Sequence, residues 1–377
     1  MNKCDIRRTL LSVLLISLIA LILLVHPAEA AVINENDAPF QIDFIDVGQG
    51  DAALVQCDKH YMLIDGGGSK KSSLIYTYLK KRGIRHLDYI VATHADADHI
   101  GGLAGALYYA SVGTAYCPVT TNDTKTFRNF VKYLNSHGKS ITVPSSGENF
   151  SLGNSSIAIL GPVRAGDEDN NNSIVLRIVY GNTSFLFTGG AEEEEEKDIL
   201  SLYPDLQSTV LKVGHHGSKD STSQYFLRSV APRYAVISVG DNNSYGHPTE
   251  EVLSRLRDTD VITYRTDLQG DVVCTSDGNT VSFQVAKNQD INVFIGTGSD
   301  QKNADAGSRS MPEQTVTEVQ AETPVTSVFI LNTNTKKFHY PECSSAGDVK
   351  EKNKKTFNGT RDEVVGQGYV PCKRCCP

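Results

Sequence analysis

From Phe40 to about Val285, short apolar runs alternate with stretches in which apolar residues recur every three or four positions. Gln41 to Val47, Ala53 to Cys57 and Tyr61 to Ile64 read as strands ended by glycines, and Tyr89 to Ala92 as a buried strand. Lys71 to Arg82 places Leu74, Ile75, Tyr78 and Leu79 on one helical face, and Thr124 to Ser136 does the same through Phe127, Phe130, Val131 and Leu134. Leu103 to Tyr109 starts another helix. Ile157 to Leu160, Ile174 to Tyr180 and Thr183 to Thr188 return to the strand pattern, the last two joined by a Gly181-Asn182 turn. Val210 to Val213, Ala235 to Val239, Val261 to Tyr264, Val272 to Thr275 and Val281 to Val285 complete the strands, with helices at Glu192 to Leu202 and Thr249 to Arg257 between them. This order predicts an α/β (α+β) fold of two sheets covered by outer helices.

The flanks differ in kind. Lys3, Arg7 and Arg8 precede an apolar stretch from Leu10 to Val25, and Ala28-Glu29-Ala30 follows, the pattern of an export signal over residues 1–30. The same stretch, retained, would anchor the protein to a membrane, although it is short for a span. Either reading puts the bulk of the chain outside the cytoplasm. Residues 287–326 are rich in Gly, Ser, Asn, Asp, Glu and Thr and read as a flexible linker between a domain at 40–286 and a module at 327–377. The formal charge of −8 shows no overall basic face, but residues 336–377 hold nine Lys/Arg against five Asp/Glu, a local +4 against −12 for the rest. Such asymmetry suits a tail that meets something acidic.

Thr93 to Gly102 reads T-H-A-D-A-D-H-I-G-G and packs His94, Asp96, Asp98 and His99 into six positions between a hydrophobic strand and an apolar helix. Carboxylates this close raise one another's pKa unless a cation sits among them, and mixed N/O ligands suit zinc or manganese. A solvated acidic turn is the plain alternative. Other glycine-rich segments follow predicted strands: F-I-D-V-G-Q-G-D with Asp46 and Asp51, L-I-D-G-G with Asp65, K-V-G-H-H-G-S with His215 and His216, and Y-G-H-P with His247. Active-site groups tend to sit on loops that leave a rigid sheet.

With N-N-S-I-V-L-R-I and F-L-F-T-G in the expected order, these segments resemble the metallo-β-lactamase superfamily, and most closely the hydrolase domain of ComEC-type DNA-internalisation proteins, over about Phe40 to Val285. The resemblance implies an αββα sandwich with two divalent metal positions at one sheet edge. It implies that His94 and Asp96 bind one metal, Asp98 and His99 the other, and that one of His215 and His216 is the late histidine ligand. Asp65 would orient the ligand loop, with Asp46 and Asp51 in similar roles, and His247 would face the substrate. Asn171 or Asn172 stands where many members carry a further histidine, and Asn172 would join the residues that orient the ligands. Where the family has F-L-F-T-G-D, with an aspartate bridging the metals, this chain has Gly190. One reading is a weakened member with a single metal; the other is that Glu192 or Glu193 substitutes. The rest of the run Glu192 to Glu196 reads as an exposed face at a helix N-terminus.

The implied chemistry is hydrolysis by a metal-activated water, with Asp98 and His247 as catalytic groups and DNA or another phosphodiester polymer as partner. A phosphoesterase on a wall polymer or lipid head group, and a DNA-binding relative with little activity, are the alternatives.

Seven cysteines remain beyond residue 30. Cys57, Cys117 and Cys274 read as buried thiols, and Cys343, Cys372, Cys375 and Cys376 crowd into the tail. His339-x3-Cys343 and Cys372-x2-Cys375 make a closed zinc site, and the segment resembles the small zinc-binding domain of Ada-type DNA-repair proteins. A disulfide from Cys343 to one of the last three cysteines is the competing reading.

Overall fold

Alternation of side chains along the strands sets the layering. Within β1 (Phe40–Phe44), Phe40, Ile42 and Phe44 enter one apolar cluster, while Gln41 and Asp43 point the other way and bond to each other. β2 (Ala53–Cys57), β3 (His60–Ile64) and β4 (His86–Val91) repeat the division, with Val55, Met62 and Val91 on the first side and Leu54, Leu63 and Ile90 on the second. The computed structural model describes residues 39–164, 170–294, 327–341, 343–359 and 361–372. The predicted export segment 1–30, residues 295–326 of the predicted linker, and Cys375 and Cys376 lie outside them.

β5 (Ser111–Tyr116), β6 (Ile141–Thr142), β14 (Val272–Ser276) and β15 (Val281–Val285) complete the first sheet, in the order β15-β14-β1-β2-β3-β4-β5-β6. The second runs β13-β12-β11-β10-β9-β8-β7, from β7 (Asn149–Leu152), β8 (Ser155–Gly161), β9 (Val175–Tyr180), β10 (Thr183–Phe187), β11 (Val210–Lys212), β12 (Tyr234–Ile237) and β13 (Ile262–Arg265). Between the sheets, Phe40 stacks on Phe185 at 4.8 Å and Phe44 on Phe187 at 5.7 Å. Each such fully buried ring contributes on the order of 1.5–3 kcal/mol from burial alone.

Helices cover the outer faces. α1 (Ser72–Arg82), α3 (Leu103–Tyr109) and α4 (Lys125–Ser136) bury Ile75, Leu79, Leu103, Leu107, Phe127 and Phe130 on the first sheet, and the short α2 (Ala97–Ile100) precedes α3. The Thr124 hydroxyl caps α4 by accepting from the Phe127 N–H. α5 (Glu193–Leu202), α6 (Gln224–Val230) and α7 (Glu250–Asp258) cover the second sheet with Ile199, Phe226, Val230 and Leu253. This is the expected αββα sandwich. The apolar pattern does not announce β5, whose Ser-Val-Gly-Thr-Ala-Tyr is mostly small, or the seven-residue α6.

The glutamate run departs from expectation. Glu193 and Glu194 are exposed, but Glu195 and Glu196 are 2% and 1% exposed on the inner side of α5. Each is buried against backbone N–H donors from elsewhere in the chain: Val163 for Glu195, Thr222 and Ser223 for Glu196. Cys57, Cys117 and Cys274 are buried free thiols.

β16 (Ser327–Asn332), β17 (Lys337–His339), β18 (Lys354–Gly359) and β19 (Val370–Pro371) form a third sheet in the order β18-β16-β17-β19, around Phe329, Leu331, Phe338, Val364 and Tyr369. It touches α6, where Tyr225 packs against Ile330, Cys343 and Cys372, and the Arg228 guanidinium lies 4.3 Å from the Tyr340 ring centre.

Burial pushes the Glu195 carboxyl up to about 7, helped by the Asp198 charge. A carboxyl raised in the folded state ionises first in the unfolded chain, so its contribution to stability falls between about pH 4.5 and 7 and is level above that. Glu195→Gln keeps the oxygen that accepts from Val163 and should flatten this fall, leaving the variant the more stable protein at pH 8 by thermal denaturation. Parallel curves for the two proteins would show that the burial carries no such penalty.

Candidate metal centre

The candidate residues lie on loops at one edge of the sandwich, after β1, β3, β4, β10, β11 and β12. Two glycines allow these loops to close on one another. Gly50 has φ +132°, and a Cβ there would stand 2.3 Å from the Asp98 carbonyl oxygen. A Cβ on Gly102 would stand 1.8 Å from the Gly66 carbonyl oxygen. Neither position has room for a side chain, and Gly50 also uses a conformation that L-residues avoid.

Three imidazoles converge here, and in each the Nδ1 atom is held by the chain. His99 Nδ1 donates to Asp65 Oδ2 at 2.8 Å. The Thr93 hydroxyl donates to the same carboxylate, so at 3.1 Å from His94 Nδ1 it is free to accept from that ring. His216 Nδ1 lies 3.0 Å from the Ser238 carbonyl and 3.0 Å from Asp51 Oδ1, both acceptors. A ring that donates through Nδ1 presents the Nε2 lone pair as a ligand, the arrangement of a histidine oriented from behind. The His94 and His99 ring centres are 3.9 Å apart, and His99 and His216 5.1 Å. His216 Nε2 faces Asp98 Oδ2 at 3.2 Å.

Asp51 reaches furthest. Its backbone N–H donates to the Asp98 carbonyl, and its side chain meets both His216 and Lys212 Nζ, the latter at 2.8 Å with both groups buried. Ligand atoms of Asp51, His99 and His216 lie within 4.8 Å of one another. Since Asp51 Oδ2 is engaged by Lys212 and Oδ1 faces the Nδ1 side of His216, we read Asp51 as the group that fixes His216.

Electrostatics favour positive charge at the centre. Burial opposes ionisation of Asp51 and Asp98, but Lys212 and His216 outweigh it for Asp51, as do His216 and His99 for Asp98, and both carboxyls are held below their usual range. Burial works against a charge on His216 too, yet Asp51 and Asp98 push it up to about 9, and Asp65 raises His99. His94, penalised by burial and then by the His99 charge, falls well below.

The remaining expected residues divide. Asp96 is 44% exposed in its side chain, with Oδ2 3.8 Å from His94 Nε2. His215 lies edge-on to His216 at 6.0 Å between ring centres, with Nδ1 3.2 Å from Glu192 Oε1 and its ring also edge-on to His247. His247 sits at the rim, held through its backbone by Asn243. Asp46 does not join the histidines in its hydrogen bonds: its carboxylate accepts from Gly48 N–H and its N–H donates to Asp271, so it shapes the loop. The orienting role expected of Asn172 falls to its neighbours. Ser173 Oγ lies 3.3 Å from His94 Nδ1 and accepts from Gly190 N–H, while Asn170 and Asn171 bond to Glu192. Lys212 and Ser173 were not singled out from the sequence. The strand-end lysine of K-V-G-H-H-G-S was the signal for the first; a lone serine gives none for the second.

A divalent ion fits these residues. Buried polar atoms without a well-aligned hydrogen bond are costly, and among the described residues they gather in these loops. Asp51 Oδ1, His215 Nδ1, His216 Nε2, His247 Nδ1, Asn170 Oδ1 and Asn172 Oδ1 are all of this kind. In the tail, His339, Cys343 and Cys372 are buried with ligand atoms within 4.8 Å of one another, and Cys375 lies outside the described residues.

Residues 45–241, a little over half of the chain, match the family model described as Metallo-beta-lactamase superfamily. The chain is 32% identical over 252 residues to ComE operon protein 3 of Bacillus subtilis, covering 62% of this chain and 32% of that protein. It is 32% identical to Competence protein ComA of Neisseria gonorrhoeae, covering 63% and 32%, and 33% identical to Recombination protein 2 of Haemophilus influenzae, covering 58% and 26%. The chain thus spans about a third or less of the length of these relatives. With the sandwich, the histidine-aspartate edge and this match together, the chain belongs to the metallo-β-lactamase superfamily of metal-dependent hydrolases.

Proposed function

We propose that this protein is an exported metal-dependent phosphodiesterase that acts on DNA. The observation that carries the reading is the convergence of His94, His99 and His216, each held at Nδ1, beside the Asp98 carboxylate. Relatives named for competence and recombination support DNA as the substrate class, and residues 1–30 support export.

His94, His99 and His216 would hold a divalent ion through Nε2, with Asp98 and the exposed Asp96 adding carboxylate oxygens. Such an ion lowers the pKa of a bound water and offsets charge building on a phosphoryl oxygen. Asp98, with a side chain 37% exposed, would border that ion and could orient a water beside it by accepting its hydrogen bond. Asp65 and Asp51 keep the rings behind it from turning, and the buried Lys212 keeps Asp51 ionised. Burial lowers the pKa of His247, which keeps its ring neutral near pH 7. A neutral ring at the rim can donate one hydrogen bond to a phosphoryl oxygen. For the tail we propose a zinc ion on His339, Cys343, Cys372 and Cys375; thiolate and imidazole ligands favour it over harder cations.

Manganese-supplemented cleavage of a labelled DNA should fall at least a hundredfold in His99→Ala, with the chelated protein still folded by circular dichroism although less stable, since Asp65 loses a buried partner. DNA binding with no cleavage in the unmodified chain would replace this reading with that of a binding protein. Asp65→Asn, which weakens the hold on His99, should lower manganese affinity by about 10–100-fold. Cys372→Ser should remove one zinc per chain by elemental analysis; unchanged zinc with one disulfide fewer would favour the cross-linked tail.

A further inference from the structure

The loop between β12 and α7 forms a rim beside the centre, and it is pinned at both ends. At its start the Gly240 N–H donates to Gln49 Oε1 at 3.2 Å, and a Cβ on Gly240 would stand 2.4 Å from the Gln49 nitrogen, so the loop lies flush on the one that follows β1. At its end the Thr249 N–H donates at 2.9 Å to the carbonyl of Gly217, the residue after His216. Between these points Asn243 Oδ1 accepts from both the Tyr245 and the His247 N–H at 3.1 Å, and its Nδ2 donates to the His247 carbonyl at 2.6 Å. One amide side chain thus fixes the backbone on both sides of Gly246, whose φ of +72° makes the turn.

This fixed loop displays a bare aromatic ring. Tyr245 is 67% exposed, and its hydroxyl bonds to no other side chain or backbone group among the described residues, so neither core packing nor a hydrogen bond accounts for it. Single exposed rings are ordinary on protein surfaces. The placement of this one is not. Ring centres step outward from the buried His216 to His215 by 6.0 Å, on to His247 by 5.7 Å, and on to Tyr245 by 5.8 Å. The last two rings lie within 26° of parallel, so His247 flanks the Tyr245 ring while most of the remainder meets solvent.

The charge of the rim narrows what such a ring can hold. From Ser238 to Glu250 the chain carries Asp241 and Glu250 but no Lys or Arg. A polyanion crossing this loop finds no counter-charge on it, and a hold here has to be made on an uncharged part of the ligand. Nucleobase faces are flat and apolar whatever the sequence, and aromatic side chains stack on them once the bases are unpaired and splayed out.

We propose that Tyr245 is a substrate-binding residue on which an unpaired nucleobase beside the scissile phosphodiester stacks, so that the site takes single-stranded DNA without regard to sequence. This rests on the phosphodiesterase reading above, in which His247 meets a phosphoryl oxygen. The ring beyond His247 is then the next surface that the strand meets.

The test compares two oligonucleotides of one length, an ordinary single strand and a strand of abasic residues. Binding to the full chain is followed by fluorescence anisotropy, and cleavage is followed with manganese present. The unmodified protein should bind the ordinary strand at least about fivefold more tightly than the abasic one. Tyr245→Ala should weaken binding of the ordinary strand by about 5–10-fold, spare the abasic strand, and raise KM more than it lowers kcat. Tyr245→Phe, which keeps the ring, should retain the preference. The salt dependence of binding should be the same in all three proteins, since no phosphate contact is removed. Equal binding of the two strands by the unmodified protein would overturn the assignment. So would an equal loss for both strands in Tyr245→Ala, as a contact to sugar or phosphate would give, or a Phe variant as weak as the Ala variant. Cleavage of both strands without preference would overturn the stacking site and leave the phosphodiesterase reading intact. A base preference lost in Tyr245→Ala, with no cleavage of either strand, would uphold the stacking site and overturn that reading.

Discussion

The two sheets are tied at their working edge by one buried carboxylate. Asp51 belongs to the loop after β1 in the first sheet; Lys212 ends β11 in the second, and His216 follows it. An interior ion pair of this kind adds little net stability, because desolvation offsets the attraction, but removing one partner costs about 3–5 kcal/mol. It therefore acts as a geometric constraint. With Lys212 on one oxygen and His216 on the other, the ring of a histidine from the second sheet is aimed at a motif from the first. The Asp51 backbone adds to this by bonding to the Asp98 carbonyl and the Gly67 N–H. A lysine turned out of this place would free the carboxylate, and with it the one ring that closes the centre.

Asp65 performs the matching task within the first sheet. Its two oxygens take the Thr93 N–H, the Thr93 hydroxyl and His99 Nδ1, so a single side chain sets the start of the histidine-aspartate loop and the orientation of the His99 ring. The division of labour follows from position. Carboxylates of Asp51 and Asp65, close behind strand ends, are buried, and they orient; Asp96 and Asp98 lie beyond, at the N-cap and in the first turn of α2, with partly exposed side chains.

Much of this was legible in the sequence because its signals are local. Strand alternation and helical periodicity depend on neighbours one to four residues apart, and the ligand motif spans six positions. What escaped depends on residues far apart in the chain. Glu195 and Glu196 look like solvent-facing members of an acidic run, and only the approach of Val163, Thr222 and Ser223 makes them buried acceptors. Lys212 looks like the polar end of a strand until Asp51, 161 residues earlier, is placed beside it. Asn170, Asn171 and Ser173 look like a turn, yet they hold Glu192, Gly190 and His94. Small residues carry no amphipathic pattern, so β5 is equally silent.

The loop from Gly214 to Gly217 shows how local cost and remote support are balanced. His215 and His216 both take left-handed backbone angles, which neither would choose alone. The loop is gripped from behind by Thr222 Oγ1 on the Gly214 N–H and by Ser221 Oγ on its carbonyl. Those two residues are themselves fixed, Thr222 by buried Glu196 and both by the Arg255 guanidinium on their carbonyls. The strained pair gives its rings different partners, His216 meeting Asp98 and His215 meeting Glu192. The left-handed angles are thus held in place by contacts made from behind the loop. The helix that follows this segment, α6, is also the one touched by the tail sheet through Tyr225 and Arg228. The buried glutamate, the arginine clamp and the tail contact thus support the same stretch of chain, and the strain in the histidine pair is the reason that support is needed.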